Sequence, residues 1–216
     1  MWREEGYCLR SSGYFEEALV AFDESLKIDS SDASTWFGRG NTLRSLRRYE
    51  EAVLSYDKAI GISPEYAATW GNRGHVLNEL GHYQEALKSH YKALALEPDD
   101  IAVWGGLGNV FFNLNRNQDS LESFEKALEI DPDNSEIWNG KGMALHQLCR
   151  YDEAMTSYNR SLDINSSNAA TWNNRGITLE KLGQYTEALE SYERALSIEP
   201  TLTSAINNKR SLLNKI

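Results

Sequence analysis

Apolar and polar residues alternate along this chain with the periodicity of α-helices. Within residues 52–60, apolar side chains recur at intervals of three and four residues, which places them on one face of a helix. Another apolar stretch, 36–46, precedes this one, and a polar break separates the two. Glycine occupies the equivalent break at Gly13, Gly81 and Gly183. The pattern therefore predicts pairs of short helices joined by tight turns.

The tryptophans of the chain fall on a single register. They follow one another at intervals of 34 residues: Trp2, Trp36, Trp70, Trp104, Trp138 and Trp172. A constant period of this length is typical of stacked structural repeats. Because each tryptophan recurs beside an apolar residue at +7, we expect the indoles to form the stacked core and not a surface for ligands.

Other residue types keep the same register, counted from each tryptophan. Glycine stands at +4, and only alanine or serine stands at +16 and +23. A ring stands at +20 in every repeat: Phe22, Tyr56, His90, Phe124, Tyr158 and Tyr192. The prolines all stand at +28: Pro64, Pro98, Pro132 and Pro200. Small residues that face large ones predict that the two helices of a hairpin pack closely. The proline ends the second helix, and the apolar face of the hairpin is buried when hairpins stack.

These signature positions resemble those of the tetratricopeptide repeat (TPR) family over essentially the whole chain. The resemblance implies an all-α fold, a right-handed superhelical solenoid of TPR helix–turn–helix hairpins with a C-terminal cap helix. Six tandem hairpins are expected over residues 1–202, the first truncated at its N-terminus, and a capping helix over 203–216. In the cap, Arg210 stands where the other repeats have glycine. The start at Trp2 indicates either a cut through a longer array or an end that pairs with another copy.

The composition narrows the classes of partner. There are 22 Lys and Arg residues against 32 Asp and Glu, a net charge of −10. This charge opposes binding to phosphate backbones or anionic lipid, so neither nucleic acid nor a membrane is expected as a partner. There is no apolar run long enough to span a bilayer and no apolar signal segment near Met1. Cys8 and Cys149 have no CxxC partner, so we expect free thiols and a cytoplasmic location.

Sequence motifs of catalysis are missing. The chain has no glycine-rich phosphate loop, no GxSxG and no HExxH. His90 holds the ring position at +20 and is expected in the core. His75 and His146 lie on first helices two repeats apart, too far to share one metal ion. The sequence therefore predicts a protein that is not an enzyme and uses no cofactor and no metal.

The resemblance also implies where a partner would bind. In TPR proteins the first helix of each hairpin lines the concave surface, and asparagine is frequent at the outward positions of these helices here. An amide offers a donor and an acceptor together, which matches the backbone of an extended peptide. The candidate peptide-binding residues are Asn41, Arg44, Asn72, His75, Asn78, Asn109, Asn113, Asn139, Asn173 and Asn174. The alternative is that asparagine is a tolerated polar surface residue in a closely repeated sequence.

Known binding modes of the family are matched only in part. The two-carboxylate clamp of TPR co-chaperones would use Asn41 and Asn72 as its asparagines, but its basic positions hold Phe37, Gly105 and Asn109. Capture of a chaperone tail is therefore disfavoured. The asparagine ladder at +2 of the N-acetylglucosamine transferase is present in only some repeats.

Two main functional hypotheses follow. The first is a non-enzymatic protein–protein interaction scaffold that binds an extended peptide or partner segment in an Asn-lined concave groove. The alternative is a structural or oligomerisation module that associates through its exposed N-terminal repeat or docks to a larger parent protein. A third hypothesis, that the helical repeats bind RNA, has less support, because the groove is close to neutral.

A local cluster of positive charge is formed by Arg39, Arg44, Arg47 and Arg48. It would either take an acidic partner group or neutralise neighbouring carboxylates.

Overall fold

The computed structural model describes residues 1–215, which form thirteen α-helices and no strand. The helices are α1 (Trp2–Ser11), α2 (Phe15–Ile28), α3 (Ala33–Ser45), α4 (Tyr49–Ile62), α5 (Ala67–Glu79), α6 (Tyr83–Leu96), α7 (Ile101–Asn113), α8 (Asn117–Ile130), α9 (Ser135–Gln147), α10 (Tyr151–Ile164), α11 (Ala169–Lys181), α12 (Tyr185–Ile198) and α13 (Thr203–Leu213). The all-α fold expected from the sequence is confirmed. The chain divides into two compact units, residues 1–110 (unit 1) and residues 111 onward (unit 2), with the boundary inside α7.

Within each unit the helices pair in chain order. In unit 1, α1 packs on α2, α3 on α4 and α5 on α6, and each of α2 and α4 also packs on the first helix of the next hairpin. In unit 2, α9 packs on α10 and α11 on α12, and α10 packs on α11 in turn. Each hairpin therefore buries its apolar face on its neighbour, as stacked repeats require.

The turn inside each hairpin places one residue in the left-handed region of φ. At +11 from the tryptophan, Gly81 has φ +75°, a conformation that glycine adopts without steric penalty. In other repeats the same position is held by Arg47, Asn115 and Cys149, with φ of 58°, 58° and 59°. Because residues with a side chain also adopt this conformation, the packing of the hairpin determines the turn more strongly than the local residue does.

The glycine at +4 allows the two helices of a hairpin to approach closely. A Cβ atom on Gly40 would lie 2.6 Å from the ring of Tyr56, and one on Gly142 would lie 2.5 Å from the ring of Tyr158. Both tyrosines are fully buried, and His90 is buried at the same place in its own hairpin. The small-to-large packing predicted from the sequence is confirmed.

The tryptophans are half-buried and tie each first helix to the link that precedes it. Trp70 Nε1 donates a hydrogen bond to the carbonyl oxygen of Pro64 at 2.9 Å, and Trp138 Nε1 does so to that of Pro132 at 2.8 Å. The same bond recurs at Trp36, Trp104 and Trp172. The tryptophans thus lie at the border of the core: Trp172 packs against Ala169, Ala195 and Ala205, and the indole N–H finds its acceptor at the exposed link.

A polar contact also joins consecutive repeats. Arg73, at +3, donates from Nε to Asp57 Oδ1 of the preceding hairpin at 2.6 Å and from Nη1 to Ser89 Oγ at 2.8 Å. In unit 2, Arg175 makes the equivalent bonds to Asn159 and to a serine. A planar guanidinium that spans two helices fixes their relative register.

Helix α13 packs on α11 and α12 and buries Ala205 and Leu212. Arg210, at the place of the repeat glycine, is exposed. We keep the proposal that this helix caps unit 2, because a charged side chain at that position faces solvent. The predicted cap also includes Ile216, which lies outside the described residues.

Candidate functional site

In each unit the first helices line the inner side of the stack. In unit 1, α1 contacts α3 and α3 contacts α5, whereas an open groove separates α2 from α4. In unit 2, α9 contacts α11 and α11 contacts α13. Within the described residues, the backbones of α10 and α12 do not approach each other this closely. Because the first helices approach one another more closely than the second helices do, each unit curves with its first helices on the concave side.

Asn41, a predicted ligand contact, is used inside the protein. Its side chain is only 7% exposed. Its Oδ1 accepts hydrogen bonds from the hydroxyl of Tyr56 at 2.8 Å and from Nδ2 of Asn72 at 2.9 Å. Burial and two internal donors make Asn41 a link between α3 and α5, so its predicted contact with a peptide is not carried into the proposed site.

Two similar amide bonds occur in unit 2. Asn174 Nδ2 donates to Asn139 Oδ1 at 3.1 Å, and Asn208 Nδ2 donates to Asn173 Oδ1 at 3.0 Å. Asn173 is 5% exposed, so it is likewise not carried into the proposed site. Asn139 and Asn174 are half-buried. We call the three Asn–Asn bonds between successive first helices amide rungs.

Other predicted amides remain at the surface. Asn109 and Asn113 on α7 are exposed, and Asn72 and Asn78 on α5 are half-buried. Besides its rung, Asn72 accepts a hydrogen bond at Oδ1 from Nη1 of Arg44 at 3.3 Å. In unit 1 the predicted amides that keep some exposure therefore lie on α5 and on the part of α7 within that unit.

His75 packs against His90 and is mostly removed from solvent. The two ring centroids are 5.0 Å apart and the rings are nearly perpendicular. Burial, with a smaller contribution from His75, lowers the pKa of His90 to about 3, and neither ring nitrogen of His90 has a hydrogen-bond partner. Burial also lowers the pKa of His75, as does the charge of Arg44. Both imidazoles are therefore neutral at pH 7, and His75 is mainly a packing residue.

A pocket of about 450 Å³ opens in unit 1 beside the N-terminal ends of the first helices. Tyr7, Phe37 and Tyr66 supply aromatic walls, and Ser34 and Thr69 add polar groups. The hydroxyl of Tyr7 donates to the carbonyl oxygen of Ser34 at 2.7 Å, which fixes this wall. Aromatic walls with a few polar groups are typical of a site for an apolar side chain.

A smaller pocket, of about 130 Å³, lies in unit 2. Its lining consists of Phe112, Met143, His146, Gln147, Tyr158, Asn174 and Ile177. His146 Nδ1 lies 2.8 Å from Thr178 Oγ1, and burial lowers the pKa of His146, so this imidazole is a neutral polar group beside an apolar floor. An amide rung, through Asn174, borders the same pocket.

The predicted arginine cluster divides into separate roles. Arg39 pairs with Asp23 at 2.7 Å and Arg48 pairs with Glu51 at 2.6 Å. These two neutralise neighbouring carboxylates, whereas Arg44 bonds only to an amide. The interpretation that the cluster neutralises neighbouring carboxylates therefore holds for Arg39 and Arg48.

Some features exclude other kinds of site. Within residues 1–215, no group of three or more His, Cys, Asp or Glu side chains is arranged to hold a metal ion. In the same range, none of the helices combines the length and the apolar character needed to cross a bilayer. Cys8 and Cys149 are free and exposed.

Arg10, Tyr7 and Phe37 lie on the inner side but were not among the candidate residues. The prediction followed one residue type, asparagine. The repeat register was the stronger signal, because Arg10 stands at +8 like Arg44, and Tyr7 stands at +5 like Asn41.

Comparisons with known proteins agree with this architecture. Three family models, each described as a tetratricopeptide repeat, match residues 33–66 and 169–202, residues 65–133, and residues 106–170. A search of curated proteins finds no match.

Solved structures match over nearly the whole chain. The structure of the APC/C hetero-tetramer Cut9-Hcn1 superimposes with a TM-score of 0.87 at 20% identity, covering 98% of this chain but only 42% of that one. PilF of Pseudomonas aeruginosa superimposes with a TM-score of 0.83 at 19% identity, covering 100% and 96% of the two chains. YrrB, a TPR protein with an unusual peptide-binding site, has a TM-score of 0.67 at 25% identity, with 88% and 98% covered.

The family models together span residues 33–202, and the neighbours share the all-α repeat solenoid. This chain belongs to the tetratricopeptide repeat family.

Proposed function

We propose that this protein is a non-enzymatic interaction scaffold that binds an extended peptide, or an extended segment of a partner protein, on the inner side of its first helices. The TPR fold suggests a protein–protein interaction scaffold, and the choice of surface rests on one observation. In each unit a pocket for a side chain opens among the first helices: Tyr7 and Phe37 line it in unit 1, and Met143 and Ile177 line it in unit 2.

The amides beside these pockets supply contacts to a peptide backbone. Asn174 uses one N–H group in its rung, so its second N–H and its carbonyl oxygen are free to pair with a peptide group. Asn109 presents a whole amide to solvent. Backbone contacts of this kind hold an extended chain with little regard to its sequence, whereas the pockets select its side chains.

The similarity to YrrB supports this proposal, since that protein is described as having a peptide-binding site. The free, exposed thiols of Cys8 and Cys149 fit a reducing compartment, so we place this function in the cytoplasm.

The test is selection of binders from a phage-displayed library of random dodecapeptides, followed by titration of synthetic winners. In unit 2, Asn139→Ala with Asn174→Ala removes both members of a rung, which leaves no orphaned partner. Two lost backbone bonds of ~0.5–1.5 kcal/mol each should weaken binding about tenfold. In unit 1, Asn72→Ala with Asn109→Ala should have an effect of similar size on peptides that bind there.

Gln118→Ala with Gln184→Ala is the matched control, because both amides are exposed and lie outside the inner side. The opposite result would be peptides that bind the two asparagine variants as tightly as they bind the parent but bind the glutamine control more weakly. That result would place the site on the second helices.

A second function, self-association through the first hairpin, is favoured by its exposed apolar side chains. Val20 is 60% exposed on α2, and Leu54 is 65% exposed across the groove on α4. Trp2 itself is half-buried, so these residues are the better candidates for contact between copies. Val20→Glu with Leu54→Glu should convert any dimer seen by light scattering into monomer; a parent that stays monomeric at millimolar concentration removes this alternative.

A further inference from the structure

Three arginines of unit 1 have no carboxylate partner in the part of the chain that the structure describes: Arg47 in the turn between α3 and α4, and Arg10 and Arg44, which share position +8 of the repeat. Arg39 pairs with Asp23 and Arg73 pairs with Asp57, at 2.7 and 2.6 Å. Within residues 1–215, Arg10 and Arg44 form no ion pair, although the chain carries an excess of ten acidic residues. The charges of these two arginines therefore have no counter-charge within the described residues.

Arg10 and Arg44 share one register and one side of the unit. Both stand at +8, on α1 and α3, and these first helices contact each other. Burial raises the pKa of the Tyr56 hydroxyl, while the charges of Arg44 and Arg10 both act to lower it. The two guanidinium groups are therefore close enough to act on the same buried hydroxyl.

The hydrogen-bonding capacity of this pair is largely unused. Arg44 donates from Nη1 to Asn72 at 3.3 Å, which occupies one of its five N–H groups. The Nε atom of Arg10 is buried and has no partner. A buried N–H of a charged group without an acceptor is unfavourable, and an anion from a ligand would supply the acceptor.

We propose that Arg10 and Arg44 form an anion subsite in unit 1 and that the bound peptide places an aspartate or glutamate side chain there. This inference rests on the proposed function and names the chemistry of the partner. A carboxylate matches the fork of a guanidinium with two parallel hydrogen bonds.

The position of the aromatic pocket agrees with a peptide carrying both kinds of side chain. Phe37 lines the pocket, and its ring centroid lies 6.2 Å from that of Tyr56. The pocket and the anion subsite are therefore both close to Tyr56. A segment with a bulky apolar residue close to an acidic residue would occupy the two together.

The experiment uses the full chain and three probes: hexaglutamate and hexaglutamine, both acetylated and amidated at their ends, and inorganic phosphate. Backbone and arginine Nε–H resonances are followed by NMR during each titration. Hexaglutamine is the neutral isostere, so it reports backbone binding alone. We expect hexaglutamate to shift the resonances of Arg10 and Arg44 and to bind about tenfold tighter than hexaglutamine at low salt, an advantage that 0.5 M NaCl should largely remove.

The double variant Arg10→Gln with Arg44→Gln should bind the two peptides equally. The control, Arg194→Gln with Arg210→Gln, removes the same charge from exposed positions in unit 2 and should keep the preference for hexaglutamate. Equal binding of both peptides by the parent overturns the anion subsite and leaves the proposed function standing. Binding of phosphate but not of hexaglutamate at these arginines overturns the assignment to a carboxylate. If neither peptide binds at 10 mM, the proposed function fails together with this inference.

Discussion

The inner sides of the two units use the same positions of the repeat for different chemistry. At +5, unit 1 has Asn41 and unit 2 has Met143; at +8, unit 1 has Arg44 and unit 2 has Phe112. Unit 1 therefore presents amides and positive charge, and unit 2 presents an apolar floor with a neutral imidazole, that of His146. The difference shows that the residues at +5 and +8 change from repeat to repeat while the glycine at +4 and the ring at +20 recur.

The amide rungs show how packing and lining are connected. In unit 1 the rung joins +5 of one repeat to +2 of the next, as Asn41 to Asn72, while in unit 2 the rungs join +1 to +2. The ring at +20 correlates with whether the next repeat has the asparagine at +2 that a rung needs. In the three repeats with tyrosine at +20, the residue at +2 of the following repeat is asparagine. In the repeats with phenylalanine or histidine at +20, that residue is glycine.

A physical reason for the glycine is visible in both units. A Cβ atom on Gly38 would lie 2.7 Å from the tip of Phe22, and one on Gly140 would lie 2.6 Å from that of Phe124. A ring without a hydroxyl thus sits against bare backbone of the next repeat. The hydroxyl of Tyr56 instead bonds to a polar group, and an amide then fits beside it.

The largest effects should come from the buried rings at +20. Tyr56→Ala in unit 1 and Tyr158→Ala in unit 2 should each cost ~3–5 kcal/mol of unfolding free energy, as truncations of fully buried aromatic residues. Because contacts in repeat proteins are between neighbours, each loss should appear mainly in its own unit. Denaturant unfolding gives the total, and hydrogen exchange locates it. Uniform loss of protection along the chain after either substitution would show that the two units unfold as one.

Acid should separate the units by about 2 kcal/mol. The pKa of His90, about 3 in the fold, lies below its ordinary value of 6.5, so the unfolded chain binds the proton first. Stability is then complete above pH 6.5 and falls as the pH decreases towards 3, by about 2 kcal/mol between pH 6.5 and 5. His75 acts in the same direction, because its pKa is also lowered.

The control for this effect is His90→Phe, which installs the ring found at +20 in two other repeats. Hydrogen exchange at pH 7 and pH 5 measures the stability of each unit. An unchanged acid sensitivity of unit 1 in the His90→Phe variant would assign the effect to other groups.

The turn positions should gain stability in both units. Arg47→Gly in unit 1 and Cys149→Gly in unit 2 place glycine at φ near +60°, where a side chain costs roughly 1 kcal/mol. Thermal unfolding should show an increase of about 1 kcal/mol for each variant. Gly183→Ala is the reverse control and should lose a similar amount. A gain in one unit only would mean that the turn is strained differently in the two.

The rungs should give the smallest effects, and unequal ones. Asn174→Ala removes the donor that Asn139 Oδ1 uses and should cost ~1 kcal/mol, whereas after Asn72→Ala the Oδ1 of Asn41 keeps its bond to Tyr56 and the cost should be about half. Adding Asn139→Ala to Asn174→Ala should restore part of the loss, since no partner is then left unpaired. A larger loss of unfolding free energy for Asn72→Ala than for Asn174→Ala would contradict this predicted difference between the units.

How far the sequence predicts this protein depends on the kind of position. Gly40 and Tyr56 could be paired in advance, because a small and a large residue at fixed offsets within one hairpin have few ways to pack. The hydrogen bonds of the tryptophans could not be predicted, because an indole is both apolar and a donor, and its acceptor, such as the carbonyl oxygen of Pro64, carries no sequence signal. Asn109 matches the predicted exposure, but Asn41 does not.

By itself, the sequence determined the repeat, the hairpin and the helix ends, because these follow from spacings shorter than one repeat and recur every 34 residues. Only the tertiary structure decided which polar side chains remain available to a partner. Asn41 and Asn72 are 31 residues apart and meet only when two hairpins stack. Whether an amide faces solvent or another amide, and whether an arginine finds a carboxylate, then depends on which donors and acceptors the stacked helices bring within about 3 Å of each other.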